Sequence, residues 1–240
     1  MSDAIVIIPT YNEIENIESI IRAVFSQQKS FHVLVVDDNS PDKTADKVKD
    51  LQKEFNNQLF LLERKEKSGL GTAYIAGFKW CLAKAYDYIF EMDADFSHNP
   101  DDLIRLYNAC AIDGADVSVG SRYVKGITVV NWPMTRIILS YGASRYVRLI
   151  TRMKVKDSTA GFICYKRAVL EAINLDKIEF VGYAFQIEMK FKAYKKGFKI
   201  VEIPVIFKDR TKGKSKMSGS IISEAIFGVI SLKLKSLFDK

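Results

Sequence analysis

Residues 4–13 read AIVIIPTYNE, a short β-branched run followed at once by a polar cluster. Five consecutive apolar residues, Ala4 to Ile8, bounded by Pro9, describe a strand covered on both faces, because a half-exposed strand would alternate. Outward from it, Ile14, Ile17, Ile20, Ile21, Val24 and Phe25 recur at helical spacing, and a second strand, Val33 to Val36, ends at Asp37-Asp38-Asn39-Ser40-Pro41. A helix carrying Val48, Leu51 and Phe55 follows, then a strand from Leu59 to Leu62, a helix after Gly69-Leu70-Gly71, and a strand from Tyr88 to Met92 ending in Asp93-Ala94-Asp95. Strands alternating with helices predict an α/β fold with a mostly parallel central sheet and helices on both faces.

In such sheets the ligand crevice lies outside the carboxyl ends of the strands. Three strands deliver polar clusters there: Thr10-Tyr11-Asn12-Glu13, Asp37-Asp38 and Asp93-Ala94-Asp95. Asp93 and Asp95, two apart on an extended strand end, project to the same side. Like charges so close persist cheaply only with a cation or donors between them. Hard oxygen ligands suit Mg2+ or Mn2+, completed by water and phosphate. Gly69-Leu70-Gly71 lacks the Lys-Ser/Thr of a P-loop and the third glycine of a dinucleotide fingerprint, so neither an ATPase nor an NAD enzyme is supported.

Beyond a fifth strand, Val117 to Gly120, the pattern passes through a loop (121–133) into a helix over 135–152, a turn at Ser158 to Gly161, a helix over 186–194 and a strand over 199–207. A basic loop, residues 208–216, precedes a last helix over 219–238. No linker or repeat divides the 240 residues, which predicts one domain. The net charge of +7 conceals an asymmetry: residues 1–120 hold 12 basic and 20 acidic side chains, residues 121–240 hold 24 and 9. A basic half fits nucleic acid, a membrane surface or a phosphorylated substrate. No nucleic-acid recognition module is apparent, and such a reading leaves three acidic strand ends unexplained. Three cysteines without CxxC spacing read as buried thiols in a reducing compartment. No run is apolar for long enough to predict a transmembrane helix, and the N-terminus is not a signal peptide.

The cations Arg122, Arg136, Arg210, Lys212, Lys214 and Lys216 follow strand ends or helix starts, or alternate through the basic loop. That loop reads as a solvated face or as a lid over phosphates hinged near Gly213 and Gly219. The last helix is apolar over more than half its circumference, so it is either buried between parts of the fold or also meets lipid or a membrane-anchoring subunit. Arg145, Arg148, Arg152, Lys154 and Lys156 supply a basic surface for anionic headgroups.

Eight motifs in order, IIPTYNE (7–13), VVDDNSPDKT (35–44), GLGTAYIAGF (69–78), EMDADFSHNP (91–100), GSRYV (120–124), NWP (131–133), STAGF (158–162) and DRTKGKSK (209–216), resemble those of the dolichol-phosphate mannose synthases. Those are inverting family-2 glycosyltransferases of the GT-A fold. The resemblance implies transfer of mannose from GDP-mannose to a dolichyl or polyprenyl monophosphate, dependent on Mg2+ or Mn2+, by a cytoplasmic protein peripheral at the membrane. It implies that Pro9, Tyr11, Glu13, Val36 and Asp38 contact guanosine and that Asp93, Ala94 and Asp95 meet ribose, metal and diphosphate. Arg122, Arg136 and Ser140 would hold the acceptor phosphate, and Arg210 and Lys216 would close on the donor diphosphate. Where some members carry Gln after DAD-x, this chain carries Ser97. The chain also resembles the short form that lacks C-terminal transmembrane helices. The alternative within the same chemistry is a family-2 transferase using another nucleotide sugar, such as UDP-glucose.

Overall fold

The structure is a computed structural model that describes residues 2–182, 184–209 and 219–238, with side chains of the last stretch described over 227–236. The chain runs β1 (Ala4–Thr10), α1 (Ile17–Phe25), β2 (His32–Asp37), α2 (Thr44–Glu54), β3 (Leu59–Glu63), α3 (Leu70–Leu82), β4 (Tyr88–Glu91) and α4 (Leu103–Ala111). It continues through β5 (Val117–Ser121), β6 (Val129–Val130), α5 (Met134–Thr151), β7 (Ile163–Lys166), α6 (Arg167–Ala172), α7 (Ala184–Lys195), β8 (Ile200–Pro204), β9 (Phe207–Lys208) and α8 (Gly219–Phe238). Seven strands form one sheet in the order β3-β2-β1-β4-β7-β5-β8, and β6 pairs with β9 alone. Only β7 runs antiparallel in the large sheet.

The continuous apolar run of β1 is explained by what lies on each face. Val6 and Ile8 pack with Val33 and Val35 against Ile17, Ile21, Val24 and Leu106 of α1 and α4. Ile5 and Ile7 pack with Leu34 and Val36 against Tyr74, Phe78 and Phe185 of α3 and α7. Each fully buried Ile or Val contributes on the order of 2 kcal/mol, so neither face tolerates a polar residue. Strand β1 does not stop at Pro9 as the sequence predicts; Pro9 and Thr10 still pair with Val36 and Asp37. Thr10 O accepts from Asp38 N on the β2 side at 3.0 Å, and Ile7 O accepts from Met92 N on the β4 side at 3.1 Å. By alternation Pro9 is turned to the β4 side, past the last residue of β4, where its missing N–H costs no ladder bond.

Two arrangements position the crevice. Strand order reverses beside β1, with β2 and β3 on one side and β4 on the other, which opens a switch point at the carboxyl ends. The antiparallel β7 begins where its neighbours end: Ile163 pairs with both Glu91 of β4 and Val119 of β5. The segment 157–162 is thereby brought to the same sheet edge as the acidic strand ends. The three cysteines are free and buried.

Candidate active site

On the β1–β2–β4 side, Asp37 and Asp95 are braced by neutral donors and Asp38 faces an arginine. Asp37 accepts from Thr10 Oγ1 at 2.8 Å, from Ser40 N at 2.8 Å and from Ser40 Oγ at 2.6 Å. It is a brace for the turn after β2. Asp38 is nearly buried and lies 3.2 Å from Arg64 Nη1, an ion pair without hydrogen-bond alignment. Burial raises the Asp38 pKa, with the Arg64 charge opposing it and Asp37 adding to it. Glu13 accepts from Asn16 Nδ2 at 3.0 Å, its N–H donates to Thr44 Oγ1 at 3.0 Å, and Lys67 lies 4.4 Å from the Tyr11 ring centroid. Pro9 is half-buried at the end of β1, whereas the Val36 side chain belongs to the core.

The segment after β4 turns sharply. Phe96 has φ of 61°, a left-handed conformation rare for a bulky residue, and the turn lets Asp95 Oδ1 accept from Ser97 N at 3.0 Å. Strain of this kind collects at functional sites. Asp93 keeps 38 % of its side chain exposed, and its oxygens lie 3.4 Å from Tyr74 Oη and 3.9 Å from His98 Nδ1. Ala94 and Asp95 are buried. His98, buried and stacked on Phe162 with ring centroids 4.9 Å apart, accepts from Asp93 N at 3.1 Å. Its Nδ1 is therefore unprotonated, and burial lowers its pKa against the pull of Asp93 and Asp95. Among the described residues no group of three His, Cys, Asp or Glu side chains surrounds a metal position. Asp93 and Asp95 offer oxygen ligands of the kind that a hard divalent cation takes.

On the other side, cations are braced by carboxylates. Arg122, directly after β5, is 8 % exposed, and its Nε and Nη2 donate to Asp157 Oδ2 and Oδ1 at 2.7 and 2.6 Å. Its Nη2 also donates to Thr159 Oγ1 at 2.9 Å. Asp157 receives the Arg122 N–H at 2.9 Å as well. Arg136 lies 3.9 Å from the Trp132 centroid and pairs with Asp209 at 2.9 Å. Arg122 lies 5.5 Å from the same Trp132 ring, and the Trp132 indole nitrogen is buried without a hydrogen-bond partner. Ser140, one helical turn after Arg136, accepts from Tyr123 Oη at 2.8 Å. Arg122, Arg136 and Ser140 are thus gathered around Trp132 and Tyr123. Arg210 and Lys216, with Lys212 and Lys214, lie outside the described residues.

A buried polar seam on α7 runs between the two sides. Gln186 donates to Glu91, and Lys190 donates to Ala160 O at 2.6 Å. Glu91 and Lys190 are fully buried, and burial raises the Glu91 pKa and lowers that of Lys190. Sequence reasoning missed Glu91, Tyr74, Asp157, Gln186 and Lys190; for Glu91, Gln186 and Lys190 the local signal is a polar side chain within an otherwise buried strand or helix face. It also misses what the Gly69-Leu70-Gly71 step does. A Cβ on Gly71 would stand 2.8 Å from the Phe185 ring and 2.9 Å from Phe180 O, so the glycine admits α7 against α3.

Residues 5–173 match the family described as Glycosyl transferase family 2. The chain is 44 % identical over 236 residues to the polyprenol monophosphomannose synthase of Mycolicibacterium smegmatis, covering 98 % of this chain and 89 % of that protein. It is 45 % identical over 223 residues to the undecaprenyl-phosphate mannosyltransferase of Micrococcus luteus, covering 93 % and 90 %. Among solved structures, a mannosyltransferase from Pyrobaculum calidifontis in complex with GDP-mannose and Mn2+ superposes with a TM-score of 0.65 at 18 % identity, over 99 % of this chain and 65 % of that one. That last likeness is one of fold, and it agrees with the GT-A architecture.

Proposed function

Because the chain belongs to glycosyl transferase family 2, we propose that it is an inverting mannosyltransferase moving mannose from GDP-mannose to a polyprenyl monophosphate at a membrane surface. The observation that carries this reading is that acidic strand ends and the Arg122–Arg136–Ser140 group share one sheet edge, in a chain 44 % identical along its length to a polyprenol monophosphomannose synthase. On this reading the whole chain is one catalytic unit. Residues 1–120 hold the donor and residues 121–240 hold the acceptor.

The acceptor phosphate is already anionic near neutral pH, so the nucleophile needs no general base, in keeping with a His98 committed to a main-chain hydrogen bond. The obstacle is repulsion. A diphosphate of about −2 and a phosphate of about −1 held roughly 6 Å apart at an effective dielectric of about 20 oppose each other by on the order of 5 kcal/mol. Arg136 and Ser140 hold the incoming phosphate, and Arg122, locked by Asp157, supplies fixed positive charge beside them. The Trp132 N–H adds an uncommitted donor in the same group. Pro9, Tyr11, Glu13 and Asp38 line the nucleoside position, with Val36 reaching it by its main chain alone, and Asp93 to Asp95 line the ribose and diphosphate position. Arg210 and Lys216 are assigned to the donor diphosphate on the resemblance alone. A divalent cation, Mg2+ or Mn2+, held by Asp93 and Asp95 supplies Lewis-acid stabilisation of the departing GDP.

Attack from the face opposite the diphosphate inverts the anomeric centre. The decisive experiment incubates the purified chain with radiolabelled GDP-mannose, Mg2+ or Mn2+ and a short-chain polyprenyl phosphate, with UDP-glucose in parallel. Label passes to the lipid from GDP-mannose; label arriving only from UDP-glucose overturns the donor assignment.

A further inference from the structure

We propose that Lys190 and Glu202 are positioning residues for the acceptor phosphate: between them they pin both ends of the turn at residues 156–160 and so fix Arg122. The inference deepens the mannosyltransferase reading, in which Arg122 stands beside the incoming phosphate, and rests on it. Arg122 is tied to this turn by main chain and side chain together, its N, Nε and Nη2 donating to Asp157 and its Nη2 also to Thr159 Oγ1. Wherever the turn settles, the guanidinium follows. Within the turn the main-chain hydrogen bond is long, Ala160 N to Asp157 O at 3.4 Å. The firmer hold comes from other elements.

Glu202 holds the first end. It stands on β8 opposite Val119 of β5, where its Oε2 accepts from Lys156 N at 2.7 Å and its Oε1 from Asp157 N at 2.9 Å. Oε1 also accepts from Ser121 Oγ at 2.7 Å, so one carboxylate joins the residue before Arg122 to the two that open the turn. Lys190 of α7 holds the far end, donating to Ala160 O at 2.6 Å. The signs suit the main chain. An anion takes the N–H groups and a cation takes the carbonyl, and hydrogen bonds with one charged partner are roughly twice as strong as neutral ones. Neither side chain is a neighbour of the turn in sequence: Lys190 is 30 residues from Ala160, and Glu202 is 45 from Asp157.

A fully buried lysine is the less expected of the two. Lysine is almost never wholly buried, and apolar residues of similar volume commonly serve stability as well as a buried charge pair or better. Glu91, Asp157 and Glu202 offset the Lys190 charge, and Arg122 opposes it. Yet the Lys190 hydrogen bond goes to a main-chain carbonyl of the turn and not to one of these carboxylates. That placement holds backbone. A charge fixed before the phosphate arrives needs no reorganisation on binding, which is what makes preorganised charge effective. Releasing either end lets Arg122 drift, and the loss falls on acceptor affinity while the nucleotide position, across the crevice, keeps its geometry.

The test compares the full chain with K190M, E91Q/K190M, E202Q and E91Q/K190M/E202Q, both in transfer from GDP-mannose to a short-chain polyprenyl phosphate and, without substrates, in hydrogen exchange read by mass spectrometry. E91Q/K190M is the deciding variant, because K190M alone leaves Glu91 without its counter-charge, whereas removing both buried charges together is commonly neutral for stability. Its acceptor KM is expected to rise about ten-fold, with the GDP-mannose KM and Tm near wild type. E202Q raises the acceptor KM about five-fold, since an amide nitrogen in place of one oxygen cannot accept from a main-chain N–H. Acting through one turn, the combined variant raises it by less than the product of the two effects. Exchange over residues 156–162 quickens about ten-fold in each variant, while β1 and β2 exchange as in wild type. A merely structural role would instead lower Tm and the yield of active protein and leave both KM values alone. An unchanged acceptor KM in K190M and E91Q/K190M, unchanged exchange in the turn, or loss of cooperative unfolding in both lysine variants overturns the proposal. A wild-type chain that transfers no mannose overturns the mannosyltransferase reading; quickened exchange in the turn then leaves the clamp on Arg122 standing, and unchanged exchange removes it.

Discussion

The two sides of the crevice hold charge by opposite means. On the donor side, Asp37 accepts from hydroxyls and a main-chain N–H, Asp95 accepts from a main-chain N–H and Asp93 lies 3.4 Å from a tyrosine hydroxyl, whereas Asp38 faces Arg64. On the acceptor side, Arg122 and Arg136 are each tied to a carboxylate. Neutral donors orient a carboxylate without cancelling its charge, as the hydroxyls on Asp37 do. Carboxylates orient an arginine and cancel much of its charge, so the acceptor side is rigid first and attractive second. On the proposed reading, an incoming phosphate would share Arg136 with Asp209 and meet Arg122 as a fixed wall.

The comparison breaks most visibly at Asp95. Asp95→Ala is expected to reduce metal-dependent transfer roughly a thousand-fold or more while circular dichroism and thermal unfolding stay native, because a carboxylate at the proposed cation position is removed. Normal transfer by purified Asp95→Ala would show that the donor side needs no cation there. Asp157→Ala attacks the other side and should cost stability before activity. A buried pair losing one partner destabilises by about 3–5 kcal/mol. For a chain of this length that lowers Tm by roughly 6–20 °C; a denaturation midpoint unchanged from wild type would mean that Arg122 is held by its aromatic neighbours alone.

Arg136→Lys keeps the charge and removes the planar stack on Trp132, and the acceptor KM should rise about ten-fold with kcat little changed. A kcat effect instead would place Arg136 at the donor. The smallest expected effect is at His98, where burial holds the pKa below its ordinary value of 6.5. A depressed pKa means that the unfolded chain takes up the proton first. The stability owed to neutral His98 is present above pH 6.5 and declines as pH falls below it. His98→Asn, whose Oδ1 can accept from Asp93 N, should flatten the fall of Tm between about pH 6.5 and pH 5. An unaltered slope would assign the acid sensitivity to another group.

Much of this was legible from residues alone. The double-sided burial of β1, the acidic ends of β1, β2 and β4, and the opposite charges of the two halves follow from local runs and spacings, which the chain carries wherever it folds. The Gly69-Leu70-Gly71 step was legible only as what it is not, since its partner Phe185 is more than a hundred residues away in sequence. Asp157 has no motif signal of its own, and its pairing with Arg122 spans 35 residues and depends on β7 turning antiparallel.

What the sequence by itself determined is therefore the architecture and the inventory of charge: which residues stand at strand ends, and that carboxylates gather in one half and cations in the other. Only the tertiary structure decided how each charge is used. Asp37 became a brace and Asp93 stayed half open, while Arg122 was neutralised and Arg145, Arg148 and Arg152 joined no ion pair among the described residues. The reason is physical. Strand and helix patterns are set by neighbours one to four residues apart, whereas the worth of a charge depends on burial and on partners brought close from far along the chain.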